Sequence, residues 1–166
     1  MSEGNFPPGV SKKGYARTVN GLGVQAIASA VRELRPQYIV LTNPEPTSDV
    51  DLWVNEDTRL LLVIEVKNWS SGSNPGASEA TRVGKILKKY ESKKLLVTSH
   101  HFKIFDSLKR EDVAIIELGF NIFPRGWYEY YGGAAKAEKL GMDYFHSGTE
   151  EIIKTKLEEY LVKENM

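Results

Sequence analysis

Apolar and polar residues alternate along this chain with two periods, and the switches between them mark its elements. From Val19 to Leu34, "VNGLGVQAIASAVREL" places Val24, Ile27, Ala28, Val31 and Leu34 at helical spacing, and Pro36 ends the run. "YIVLT" (38–42) reads as a short buried strand, and "NPEPTS" as a turn. Two strands follow, Asp49–Val54 and Leu60–Lys67, with "NEDT" between them as a hairpin loop. Beyond the loop "SSGSNPGAS" (70–78) the helical period returns. It predicts a helix over 79–91 with Ser78 as its N-cap and Ala80, Val83, Leu87 and Tyr90 facing inward. "KLLVTS" (94–99) and "VAIIEL" (113–118) read as strands, with a short helix over 102–110 between them and an amphipathic helix over 149–162 at the end. The order α-β-β-β-α-β-α-β-α, with no internal repeat and no second core, predicts one α/β domain built on a mixed sheet. Residues 1–13, rich in Gly, Pro, Ser and Lys, read as a flexible arm. The domain then runs over 14–166, with a C-terminal helical extension from about 119.

Composition narrows the class. At 166 residues, 41% hydrophobic and 27% charged, the chain matches a globular domain with a sizeable core. No apolar run approaches the roughly 20 residues of a membrane helix, and "MSEGNFPPGVSKKGYA" does not have the form of a signal peptide. The lack of cysteine excludes disulfides and thiolate zinc sites and points to a cytoplasmic protein. Lys plus Arg (22) balances Asp plus Glu (22), so a nucleic-acid surface would have to come from local clustering rather than overall charge.

The two hairpin strands carry charge where core strands normally have none. Side chains alternate across a strand, so Asp49 and Asp51 share one face, as do Glu65 and Lys67. Unpaired carboxylates are costly to bury, by several kcal/mol, unless a cation compensates them. As hairpin neighbours, Asp51 and Glu65 can converge on a hard cation such as Mg²⁺ or Mn²⁺, which takes one or two protein carboxylates and fills its shell with water. A lysine beside such a pair can hold a water or help deprotonate it, and the metal neutralises charge developing on a phosphate. Taken singly, each of these residues is more often a strand-end charge that solubilises an edge. Together, after the apolar run Leu60–Ile64, they are out of place without a chemical task.

"SDVDLWV" followed by "LLLVIEVKNW" resembles the D-x(n)-E-x-K motif of the PD-(D/E)xK nuclease superfamily, and most closely that of archaeal Holliday-junction resolvases and Mrr-like restriction endonucleases. The resemblance covers roughly residues 14–118. It implies a restriction-endonuclease-like mixed central sheet flanked by helices, and a Mg²⁺- or Mn²⁺-dependent endonuclease acting on duplex or branched DNA, as in repair or recombination. It makes Asp51 and Glu65 the metal ligands, with the carbonyl of Val66 as a further one, and Lys67 the catalytic lysine. Asp49 replaces Asp51 if the register differs. Family members often carry an acid on the first helix. Here the nearest equivalent is Gln25, a neutral amide, and so the alternative is a nuclease-fold protein that binds DNA or a partner protein without cutting. Members that cut both strands generally act as homodimers, and the aromatic stretch 127–131 with the last helix offers surface for that.

Basic residues supply the remaining candidates. Arg82, Lys85 and Lys89 sit on the helix after the charged strand, and Lys12 and Lys13 lie on the arm. All five are expected to follow a phosphate backbone. "GLGVQA" (21–26) lacks the preceding strand that a dinucleotide fingerprint needs. His100 and His101 read as a solvated loop.

Overall fold

A computed structural model of the chain describes residues 12–42, 50–70, 72–122 and 148–166, with side chains from Asn20 onward. Helix α1 (Lys12–Leu34) leads into β1 (Ile39–Thr42), β2 (Leu52–Glu56) and β3 (Arg59–Lys67). Then come α2 (Ala77–Lys88), β4 (Lys93–Thr98), a 3-10 helix (Lys103–Glu111), β5 (Val113–Glu117) and α3 (Thr149–Lys163). The strands form one mixed sheet in the order β1-β2-β3-β4-β5, antiparallel over β1–β3 and parallel over β3–β5. The fold is α/β, a mixed five-stranded sheet flanked by helices.

β3 is central, and its side chains divide the core in two. Leu62, Ile64 and Val66 face a layer made by α1 and α3, where Val24, Ile27, Val31, Ile153, Leu157 and Leu161 are buried. Val63 faces the other layer, made by α2 and the 3-10 helix, with Val83, Leu87, Phe105 and Leu108. Each such aliphatic side chain contributes on the order of 1.5–3 kcal/mol when fully buried. With both faces covered, β3 reads as a continuous apolar run rather than an alternating one.

Several boundaries differ from the sequence reading. The helix expected from Val19 begins at Lys12, inside the stretch read as an arm. Residues 12–18 lack the apolar period that marks the rest of α1, so the pattern could not reveal those turns. The hairpin loop shortens to Asp57-Thr58, because Asn55 and Glu56 pair with Leu60 and Arg59. Asp57 adopts φ 53°, a left-handed conformation that Asp tolerates better than most residues. Gly76, not Ser78, occupies the N-cap position of α2, without a side-chain cap bond. The last helix, read as an extension, packs its apolar stripe into the α1 core, where Arg35 also pairs with Glu158 at 2.7 Å. Residues 1–11, Asp49 and the aromatic stretch 127–131 lie outside the described residues.

Candidate active site

The register of the hairpin builds the site. Leu52 pairs with Ile64, so one step further along the ladder Asp51 stands opposite Glu65. Asp51 is fixed there by the backbone N–H of Val66, which donates to its Oδ2 at 2.8 Å. In an antiparallel pair a residue's N–H and C=O leave the same edge of the strand, which puts the Val66 carbonyl on the Asp51 side. Alternation places Asp51, Glu65 and Lys67 on the α2 face of the sheet, with Val63.

Glu65 is only 2% exposed, and its Oε1 has no hydrogen-bond partner among the described residues. Burial pushes its pKa up to about 9. The adjacent Asp51 carboxylate adds to this as a hydrogen-bond partner and as a negative charge, while Lys67 and Arg82 oppose it. The missing partner and the Asp51 hydrogen bond describe one situation. Two facing acceptors make no bond until a proton or a cation lies between them. Asp51 and Glu65 with an unpartnered buried oxygen therefore form a donor set that fits a hard divalent cation.

Lys67, 7% exposed, sets its Nζ 3.6 Å from Glu65 Oε2 and 3.2 Å from Glu79 Oε1. The same ammonium lies 5.2 Å from the centre of the Trp69 ring, within cation–π range. Glu79 stands in the first turn of α2 and is gripped by Arg82 at 2.6 and 3.3 Å, a bond that holds its pKa below the usual carboxylate range. The sequence reading did not single out Glu79. Its only signal was an acid in the first turn of the helix that follows the Glu-x-Lys strand. On the adjoining strand, Thr98 pairs with Lys67 in the ladder and is also buried, its Oγ1 without a partner among the described residues.

The opposite face of the same strand end is fully bonded. Asn68 Oδ1 accepts from Ile122 N–H (3.0 Å) and Asn121 Nδ2 (3.1 Å), and its Nδ2 donates to Ile122 O (2.9 Å). Asn121 Nδ2 and Ser99 Oγ both donate to Trp69 O, at 2.9 and 2.5 Å. His100 Nε2 donates to Asn121 Oδ1 at 2.7 Å, so His100 belongs to this network rather than to a solvated loop. These bonds fix the residues that follow Lys67 at the end of β3.

Gln25 is not brought to the carboxylates. It lies exposed on α1, which packs on the Val66–Asn68 side, and among the described residues it makes no hydrogen bond to Asp51, Glu65 or Lys67. The α1 residue that reaches the end of β3 is Asn20, whose Oδ1 accepts the Asn68 N–H at 3.0 Å. Of the basic candidates, Arg82 is engaged by Glu79, Lys85 is exposed on α2, and Lys89 is exposed at its C-cap, one residue past the helix. Lys12 and Lys13 open α1, with side chains outside the described set.

A second polar group lies elsewhere. His101, Asp106 and Glu117 come together at the surface, with Nδ1 2.8 Å from Glu117 and Nε2 3.8 Å from Asp106. The Glu117 hydrogen bond raises the His101 pKa, as expected for an imidazolium with a carboxylate at each nitrogen.

Comparison with models of known protein families and with curated proteins finds no match. Among the described residues no helix is long and apolar enough to cross a membrane.

Proposed function

We propose that this protein is a divalent-metal-dependent deoxyribonuclease with a restriction-endonuclease-like core, of the Holliday-junction-resolvase or Mrr-like type. The observation that carries this reading is the convergence of Asp51 and Glu65 from adjacent strands, Glu65 buried with an unpartnered oxygen, beside the buried ammonium of Lys67. Asp51, Glu65 and the Val66 carbonyl would hold Mg²⁺ or Mn²⁺. When bound, the cation would neutralise charge developing on a phosphoryl oxygen and acidify a water.

The chain's own groups supply the rest. The Val66 N–H aims the Asp51 carboxylate. Lys67, held between Glu65 and Glu79, is a fixed positive charge for a phosphate oxygen and a donor to a water positioned for in-line displacement of an ester oxygen. Trp69, stacked edge-on against Phe102 and tilted over Phe105, forms an apolar wall that keeps bulk water off the lysine. One such site serves one strand, so cutting a duplex or junction on both strands would take a homodimer.

The test is cleavage of linear duplex, single-stranded and four-way-junction DNA in Mg²⁺ or Mn²⁺, with and without EDTA, by wild type and by Asp51→Asn and Glu65→Gln. Cleavage of at least one form is expected, abolished by EDTA and by either substitution. If no form is cut in either metal, the non-cutting reading takes its place.

A further inference from the structure

We infer that the groove between α2 and the 3-10 helix is the surface that holds the sugar–phosphate backbone of duplex DNA. This rests on the nuclease reading for the identity of the polymer, but the groove stands on its own observations.

It is an open cleft of about 600 Å³, with Lys85, Lys88 and Arg110 on its walls and one acid, Glu111. Glu111 is spent on Lys88, at 3.1 Å. Lys85 and Arg110 form no ion pair among the described residues, unlike Arg35, Lys67, Arg82, Lys93 and Lys154, each of which has a carboxylate partner. Two uncompensated cations and one shared one facing the same cleft, in a chain of zero net charge, are a local concentration of positive potential.

The floor is kept low by small residues. A Cβ at Gly84 would sit 3.0 Å from Glu111 Oε2 and 3.3 Å from Leu108 Cδ2, so glycine lets the two helices close up beneath the cations. Length matters as much as charge. The groove follows α2 from Ala77 in its first turn to Lys88 in its last. The twelve residues span about 16 Å at 1.5 Å per residue. Phosphates on one strand advance about 3.4 Å along the duplex axis, so a groove of that length runs beside roughly five of them. An open, basic cleft fits a phosphate polymer better than a small phosphate ester, which would be enclosed.

The experiment measures binding in EDTA, where no turnover occurs. Fluorescence anisotropy of a 20-base-pair duplex is followed from 50 to 200 mM salt for wild type, for Lys85→Gln/Arg110→Gln, and for Arg59→Gln/Lys163→Gln as a control of equal charge. Losing two phosphate contacts should lower the log–log salt slope by about 1.8 and leave the control unchanged. Ser107→Glu, which adds an acid to the rim without removing a contact, should weaken binding as well. Matched circular-dichroism melts show that each variant is folded. The inference is overturned by a wild type that binds no duplex, by an unchanged slope in the groove variant, or by an equal loss in the control. It is overturned as well if poly-glutamate competes as well as DNA. A protein that binds through this groove yet cuts no DNA would refute the nuclease reading alone.

Discussion

The two faces of β3 end in opposite ways. On the α1 side, Ile64 and Val66 are followed by Asn68, a buried amide whose oxygen takes two donors and whose nitrogen finds a carbonyl. On the α2 side, Val63 is followed by Glu65 and Lys67, and there an oxygen of Glu65 and the hydroxyl of Thr98 are buried without partners among the described residues. Both ends place polar groups in the core, where an unmet hydrogen bond costs about 1–3 kcal/mol. Only one satisfies them from within the chain. The same strand thus carries one polar end closed by the chain's own groups and another that, among the described residues, is left open.

Exchanging the two ends by mutation should expose this contrast. Asn68→Ala strands the N–H and C=O of Ile122, at about 1–3 kcal/mol each. A marked drop in melting temperature is expected, with whatever cleavage remains at low temperature still metal-dependent. A variant that melts like wild type would mean that the network is ornamental. Next door, Lys67→Ala should do the reverse, keeping the melting temperature near wild type while cleavage falls by roughly a hundredfold, about 2.7 kcal/mol of barrier. Undiminished cutting by Lys67→Ala removes the lysine from the chemistry.

Glu79→Gln tests whether the α2 acid belongs to the same device. Lys67 would lose one of its two carboxylate neighbours, and Arg82 its partner. We expect about a tenfold loss in kcat with little change in KM, recovered in part by Glu79→Asp. A change confined to KM would place Glu79 at the DNA surface instead.

The acidity of Glu65 gives a smaller but directional effect. Its folded pKa, about 9, lies above the ordinary carboxylate value near 4.5. Its contribution to stability is therefore complete below pH 4.5 and is lost as pH rises through 9, where the buried carboxylate ionises beside Asp51. Metal-free protein should melt progressively lower from about pH 5 to 9. Glu65→Gln should flatten that decline, and Mg²⁺ should reverse it in wild type only. A pH profile identical in wild type and Glu65→Gln contradicts the burial argument. The smallest effect is expected from Gln25→Glu. An added acid on the exposed side of α1 should leave the metal-induced melting shift unchanged, and a clearly larger shift would bring α1 back into the site.

Much of this was readable in advance because it is local. The period of two in "LLLVIEVK" requires Glu65 and Lys67 to share a face, and the apolar run before them requires a central strand, whatever the rest of the chain does. The same holds for the order of elements and the short hairpin that sets Asp51 against Glu65. The basic residues of α2 were also visible, but not their division of labour. Arg82 is held by Glu79, three residues away, while among the described residues Lys85 and Arg110 form no ion pair and line one groove.

Amino-acid order by itself determined the strands, their alternation and the charges at the end of β3. These follow from backbone stereochemistry, which acts over a few residues. Tertiary structure decided which helix meets which face. α1 lies over Val66 and Asn68, so Gln25 stays away from the carboxylates, and the helix acid beside Lys67 is Glu79 from α2. It also decided that Asn121, 53 residues away, satisfies Asn68, and that α3 closes the core. Such contacts depend on how packed layers come to rest, and no periodicity along the chain encodes the distance between residues so far apart in sequence.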